Sequence, residues 1–263
     1  MVASAAIREA PDPSARLATQ ALLGEILDVF DTNGAWSRVR CRRDHYVGWV
    51  TTDSLSPAIT TPTHKVSALR TFAYAAPDLK SPVNATLSLG AQLTITGQDG
   101  DYARSEQVGW VHARHLAPLD TLETDAVAVA ERYLHTPYLW GGRDSLGLDC
   151  TGLTQQAFEA TGTLLPRDSD MQFSWAGDDI ADWKVSGALR RGDLVFWKGH
   201  VGIMTDAHHL LHANAWHMAV AREPLDQAIV RIKTQYAEPV GARRIDREQF
   251  AGQVPHWMAE PVA

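Results

Sequence analysis

The chain has 263 residues, of which 45% are hydrophobic and 21% charged, with 19 Gly and 13 Pro. This is a globular composition, long enough for one large domain or two to three small ones, and it excludes collagen, coiled-coil and disordered classes. The formal net charge of −7, with no dense Lys/Arg run, argues against nucleic acid and anionic membranes as partners.

The first residues lack the positive segment and long apolar run of a secretory signal. No apolar run approaches the ~18 residues of a membrane span. Only Cys41 and Cys150 are present, too few for a disulfide framework, so both are expected as reduced thiols. A cytoplasmic location is expected; a periplasmic or secreted one is the alternative, if an export signal has been removed.

The N-terminal part contains a repeat. Gly24, Leu27, Val29, Gly34, Trp36 and Arg38 correspond at constant offset to Gly90, Leu93, Ile95, Gly100, Tyr102 and Arg104. Gly48-Trp49-Val50 and Gly109-Trp110-Val111 follow at an offset five residues shorter, which places one length change in a hairpin loop. Short alternating apolar runs separated by Gly, Asn and Asp predict antiparallel strands in two small β-barrels. In this reading Trp49 and Trp110 fill the barrels, and Ser56 to His64 is the linker. The spans expected are 1–58 and 59–118, followed by 119–263.

From Thr121 the pattern changes. Leu122, Ala126, Val129, Ala130 and Tyr133 predict a helix stopped by Pro137. A second helix is predicted from Cys150 to Thr161, with Gly162 as its stop. Strands are then predicted at Asp193–Trp197, Val201–Met204 and Leu210–Ala215, and near Ile229–Ile232. Helices followed by antiparallel strands define an α+β domain.

Cys150 falls where a Gly-rich loop meets a helix. A thiol there faces the positive end of the helix dipole and unpaired N–H groups, which lower its pKa and can stabilise an oxyanion. A hairpin turning around Asp206 would set His200 and His212 directly opposite on one face, one as base and the other as its orienting partner. A histidine cluster at 200, 208, 209 and 212 raises zinc as an alternative. His208 and His209 fall at the hairpin tip, however, and no structural-zinc spacing is present, so no metal is expected. Asp193, in a Gly-Asp turn, reads as structural.

Tyr138-x-Trp140-Gly141-Gly142, Asp149-Cys150-Thr151-Gly152-Leu153, Pro166-Arg167-Asp168-Ser169-x-x-Gln172, Arg191-Gly192-Asp193 and Gly199-His200-Val201-Gly202 occur in the order found in NlpC/P60 cysteine peptidases, which residues 121–245 resemble. Thr151 replaces the family's usual Ser. The repeat resembles bacterial SH3 (SH3b) domains. The resemblance implies a papain-like catalytic domain preceded by two SH3-like barrels, with no cofactor. It implies Cys150 as nucleophile, His200 as base, His212 as orienting group and Tyr138 in the oxyanion region.

The whole arrangement resembles γ-D-glutamyl-L-diamino acid dipeptidyl-peptidases. That resemblance assigns Asp168 to a substrate α-amine, with Ser169, Trp140 and Thr151 lining the pocket. Glu25 and Tyr46 match residues that close it. The implied partner is a peptidoglycan-derived peptide, L-Ala-γ-D-Glu-diamino acid. An exported endopeptidase anchored by its SH3b domains and an inactive wall-binding protein are the alternatives. Arg167 is open between a substrate carboxylate and Asp193.

Overall fold

The computed structural model describes residues 3–185, 187–246 and 254–259. The chain divides into two compact units, Met1–Leu122 and Glu123–Ala263. Among the described residues no helix is long and apolar enough to cross a membrane.

In the first unit, β1 (Ser4–Arg8), β2 (Leu17–Leu22), β3 (Leu27–Asn33), β4 (Trp36–Cys41) and β5 (Val47–Thr51) form a sheet of order β2-β1-β5-β4-β3. After β6 (His64–Val66) come β7 (Arg70–Tyr74), β8 (Val83–Ser88), β9 (Gln92–Leu93), β10 (Ile95–Asp99), β11 (Tyr102–Ser105), β12 (Gly109–His112) and β13 (Leu116–Pro118). The second sheet runs β8-β7-β12-β11-β10, the same order as the first, strand for strand. Short β6 lies between β13 and β9 in a third sheet.

The sequence repeat is therefore a structural repeat. Gly24 and Gly90 share φ 88°, and Gly34 and Gly100 have φ 60° and 55°. The length change falls in the β4–β5 hairpin, which is longer than the β11–β12 hairpin.

Strand alternation corrects the expectation for the tryptophans. Val50 and Val111 are fully buried, whereas Trp49 and Trp110 are half-buried, with Arg104 lying 5.9 Å above the Trp110 ring. In each Gly-Trp-Val the valine fills the core, because adjacent strand residues face opposite ways. The turn at Gly24 is where the two repeats meet: the Gln92 N–H donates to the Leu23 carbonyl at 2.8 Å, and Leu22 and Leu23 share a core with Val66, Leu87 and Val111.

The second unit contains α1 (Ala126–Glu131), the small strands β14 (Arg143–Asp144) and β15 (Gly147–Leu148), α2 (Cys150–Ala160), α3 (Ser169–Trp175) and β16 (Asp178–Asp179). Next come β17 (Leu194–Trp197), β18 (His200–Met204), β19 (His209–Asn214), β20 (Ala219–Pro224), α4 (Leu225–Gln235) and β21 (Pro239–Arg244). An antiparallel sheet of order β16-β21-β17-β18-β19-β20 supports the domain. α2 is capped by the Asp149 side chain and ends before Gly162, whose φ of 90° suits a glycine stop.

Two predicted elements differ. The first helix is only Ala126–Glu131, because Asp125 caps it by accepting from the Val127 N–H at 2.9 Å, well after Thr121. The strand predicted near Ile229–Ile232 lies inside α4. Leu225, Ala228, Ile229 and Ile232 recur at helical spacing and pack on the core around Val195 and Met204.

At Gly24 an added Cβ would collide with the Gln92 carbonyl in a positive-φ backbone, whereas at Gly34 nothing lies within 4 Å. Gly24→Ala should therefore lower stability by about 2–4 kcal/mol and Gly34→Ala by only about 1 kcal/mol, compared by urea midpoints.

Candidate active site

Cys150 is the first residue of α2 and is 7% exposed. Its position is set by Asp149. One Asp149 oxygen accepts from the Gly152 N–H at 2.7 Å, from Thr151 Oγ1 at 3.0 Å and from Arg167 Nη1 at 3.0 Å. The other accepts from the Gly141 N–H at 2.9 Å and from Arg167 Nη2 at 2.6 Å. Arg167 is 1% exposed and also donates to Thr151 Oγ1.

This corrects the suggested Arg167–Asp193 pair: Asp193 pairs instead with Arg244 at 2.7 Å. The Thr151 hydroxyl is likewise committed inside this cluster, so it holds the helix start rather than facing a pocket. Gln172 is buried and ties the cluster to the next loop, donating to the Pro166 carbonyl at 2.8 Å and bonding Thr154 Oγ1 at 2.7 Å.

α2 packs against β18, and the Val201 N–H is directed at the Cys150 sulfur. The residue before it is His200. His200 Nε2 lies 2.8 Å from His212 Nδ1, and His212 Nε2 lies 2.7 Å from Glu223 Oε1. Arg231 donates to the same Glu223 oxygen and stacks 5.4 Å above the Trp216 ring.

The predicted pairing of the histidines needs adjustment. Ile203 pairs with Leu211 and Met204 with Leu210, so the hairpin is centred on residue 207 rather than Asp206. His200 and His212 are therefore diagonal neighbours, not directly opposed. The two-residue slip preserves their common face, and the rings still meet. Glu223 and Arg231 were not identified from sequence: they reach the site through the β19–β20 pairing and the middle of α4.

This chain of bonds sets the tautomers. Ionised Glu223 accepts the proton on His212 Nε2. His212 Nδ1 must then accept from His200 Nε2–H, which leaves the lone pair of His200 on Nδ1.

Burial, reinforced by the Asp149 carboxylate, pushes the Cys150 thiol up to about 12, against the opposing pull of the Val201 N–H, Arg167 and the Thr151 N–H. Burial, the neighbouring His212 and Arg231 hold His200 well below 6.5. Burial also lowers His212, against the pull of Glu223. The expected lowering of the thiol pKa is thus reversed, because desolvation outweighs the helix terminus. The resting pair is neutral thiol and neutral imidazole.

Tyr138 is half-buried. Its phenol is pushed above 10 by burial and then by the nearby Cys150 and Asp149 charges, so it remains a donor. Trp140 is 58% exposed. Asp168 is the N-cap residue of α3 but makes no side-chain capping bond, and Ser169 opens that helix at 9% exposure. In the first unit, Glu25 lies in the β2–β3 turn and accepts from the Leu22 N–H at 3.1 Å. It also pairs with Arg43 at 3.4 Å. Tyr46 lies in the β4–β5 hairpin, joined to the Glu25 turn by the Arg42 N–H to the Ile26 carbonyl at 3.0 Å.

A thiol at a helix start, on a helix packed against the antiparallel sheet that carries an imidazole pair, is the papain-like arrangement. Residues 135–237 match the model of the NlpC/P60 family, and residues 7–55 match the bacterial dipeptidyl-peptidase Sh3 domain. The chain thus carries an NlpC/P60 domain behind a bacterial SH3 domain. Dipeptidyl-peptidase 6 of Lysinibacillus sphaericus is 31% identical over 135 residues, 50% of this chain and 47% of that protein. The γ-D-glutamyl-L-lysine dipeptidyl-peptidase of Bacillus cereus is 25% identical over 257 residues, covering 87% of this chain and 75% of the relative. A crystal structure of an NlpC/P60 family protein from Bacillus cereus shares the fold, with a TM-score of 0.78 at 22% identity over 92% of this chain and 97% of that one.

Two outcomes follow from the buried groups. Arg167→Ala should cost about 3–5 kcal/mol by leaving Asp149 unpaired, and Arg167→Lys should recover only part because it cannot bond both oxygens; urea unfolding measures both. The two imidazoles are neutral when folded but protonate below 6.5 when unfolded. Stability should therefore be level above that pH and fall as pH drops from 6.5 toward about 5, read from urea midpoints across the range.

Proposed function

We propose that the protein is a cysteine peptidase that hydrolyses the bond between γ-D-glutamate and a diamino acid in peptidoglycan stem-peptide fragments with a free N-terminal L-Ala. The observation that carries this reading is the line from Cys150 at the head of α2, through Val201 and His200, to His212 and Glu223.

Nδ1 of His200 takes the thiol proton as sulfur attacks the γ-carbonyl carbon. The oxyanion forms against the unpaired N–H groups at the α2 terminus and the Tyr138 hydroxyl. As the tetrahedral species collapses, the C–N bond breaks and the imidazolium gives its proton to the departing diamino-acid amine. Water, losing a proton to His200, then hydrolyses the thioester and releases L-Ala-D-Glu, restoring the thiol. No cofactor takes part. Because the resting pair is neutral, the thiolate is generated as attack begins.

Asp168 receives the substrate ammonium, a charge-assisted pair that favours peptides with a free amine. Ser169 and Trp140 lie beside it in sequence and in the preceding loop. A free-amine requirement fits recycling of released fragments in the cytoplasm, and the relatives named dipeptidyl-peptidase accord with removal of an N-terminal dipeptide.

Incubation with L-Ala-γ-D-Glu-diaminopimelate, its lysine counterpart and the N-acetylated forms, with products identified by mass, tests the reading. Dipeptide release from the free-amine substrates is expected, at least ~10-fold faster than from acetylated ones. Cys150→Ala should lower the rate by on the order of 10³ or more. Equal cleavage of the acetylated peptides would remove the role given to Asp168, and unchanged hydrolysis by Cys150→Ala would remove the mechanism.

A further inference from the structure

The outer end of the imidazole chain has a feature that hydrolysis does not use. His212, His217 and Glu223 each present a ligand atom, all within 4.8 Å of one another. His217 is exposed, in the turn between β19 and β20, so the cluster opens to solvent. Its ring is held by its neighbour. Asn214 Oδ1 accepts from the His217 backbone N–H at 2.9 Å and from its Nδ1 at 3.0 Å, which holds the proton on Nδ1 and leaves the lone pair on Nε2. The Asn214 amide orientation is fixed in turn by its NH₂ donating to the His212 carbonyl at 3.3 Å.

We propose that His212, His217 and Glu223 form a three-ligand site for a zinc ion, and that its occupation disables the His200 base. Two imidazole nitrogens and one carboxylate suit zinc, with the fourth tetrahedral position left to water. Bonds of about 2.0–2.1 Å place tetrahedral ligands roughly 3.3 Å apart, so the His212–Glu223 pair, now at 2.7 Å, must open slightly while exposed His217 closes in from within 4.8 Å. The histidines at 208 and 209, which made zinc conceivable from sequence, take no part.

The inhibition follows from proton positions. Zinc takes the lone pair on His212 Nε2, so the proton there moves to Nδ1. His212 Nδ1–H then donates to His200 Nε2, and the His200 proton must sit on Nδ1. No proton is gained or lost, yet the nitrogen that the peptidase reading assigns to the thiol proton now carries hydrogen and cannot accept it. Arg231, on Glu223, opposes the incoming cation and sets the affinity.

The binding part stands apart from the peptidase reading, while the inhibition part rests on it. Zinc chloride titrated against a chromophoric zinc indicator measures binding without substrate. One zinc per chain is expected in the wild type, with affinity unchanged in Cys150→Ala, at least ten-fold weaker in His217→Ala and tighter in Arg231→Gln. His217→Ala should hydrolyse peptide like the wild type without metal and need at least ten-fold more zinc for half-inhibition. Loss of zinc binding in Cys150→Ala would place the ion on the thiol and overturn the proposal. So would equal zinc sensitivity of His217→Ala and the wild type, or failure of Arg231→Gln to bind more tightly. A protein that binds zinc in this pattern but cleaves none of the peptides would sink the peptidase reading and leave the metal site standing.

Discussion

One carboxylate organises the catalytic domain. Asp149 accepts five hydrogen bonds from three separate segments: the Gly141 loop, the first turn of α2 and Arg167. A buried charge is tolerable only when paired and fully bonded, and here the bonds are themselves the geometry. They bring the loop bearing Tyr138 and Trp140, the helix bearing Cys150 and the segment leading to Asp168 to one place. The close approach leaves no room for side chains: an added Cβ at Gly152 would collide with the Gly142 carbonyl. The glycines of this loop are therefore a packing requirement of the helix start.

The reactive groups answer to a second constraint, burial. Cys150 and His212 are buried and His200 is half-buried, and burial disfavours every charged form. The helix terminus acts in the opposite direction but is overmatched. What remains is a line of neutral hydrogen bonds anchored at one end by ionised Glu223, which burial raises but His212 and Arg231 together hold below its usual range. Its polarity, rather than its charge, fixes the free lone pair of His200 on Nδ1.

Much of this was legible in the sequence because it is local. The Gly-rich loop running into Cys150 announced a helix start, Gly162 its end, and two histidines of matching parity on adjacent strands announced a shared face. The repeat was readable because the same glycines recur where the backbone needs positive φ. What escaped depends on long-range pairing. Glu223 and Arg231 gain meaning only once β20 is laid beside β19 and α4 turns back across it. Four residues, Ile229 to Ile232, are too few to tell a strand from one face of a helix, and the distinguishing partners Leu225 and Ala228 lie outside that window. Arg167 and Asp193 were candidates for each other because both flank the core, but each found a nearer counter-charge.

The small exposure of Cys150 and its elevated pKa have a further consequence. Peroxides and alkylating agents react with thiolates that they can reach. A sulfur held protonated and covered offers them little of either form or access. Cys150 is thereby slower to meet the irreversible oxidation that threatens open, low-pKa cysteines.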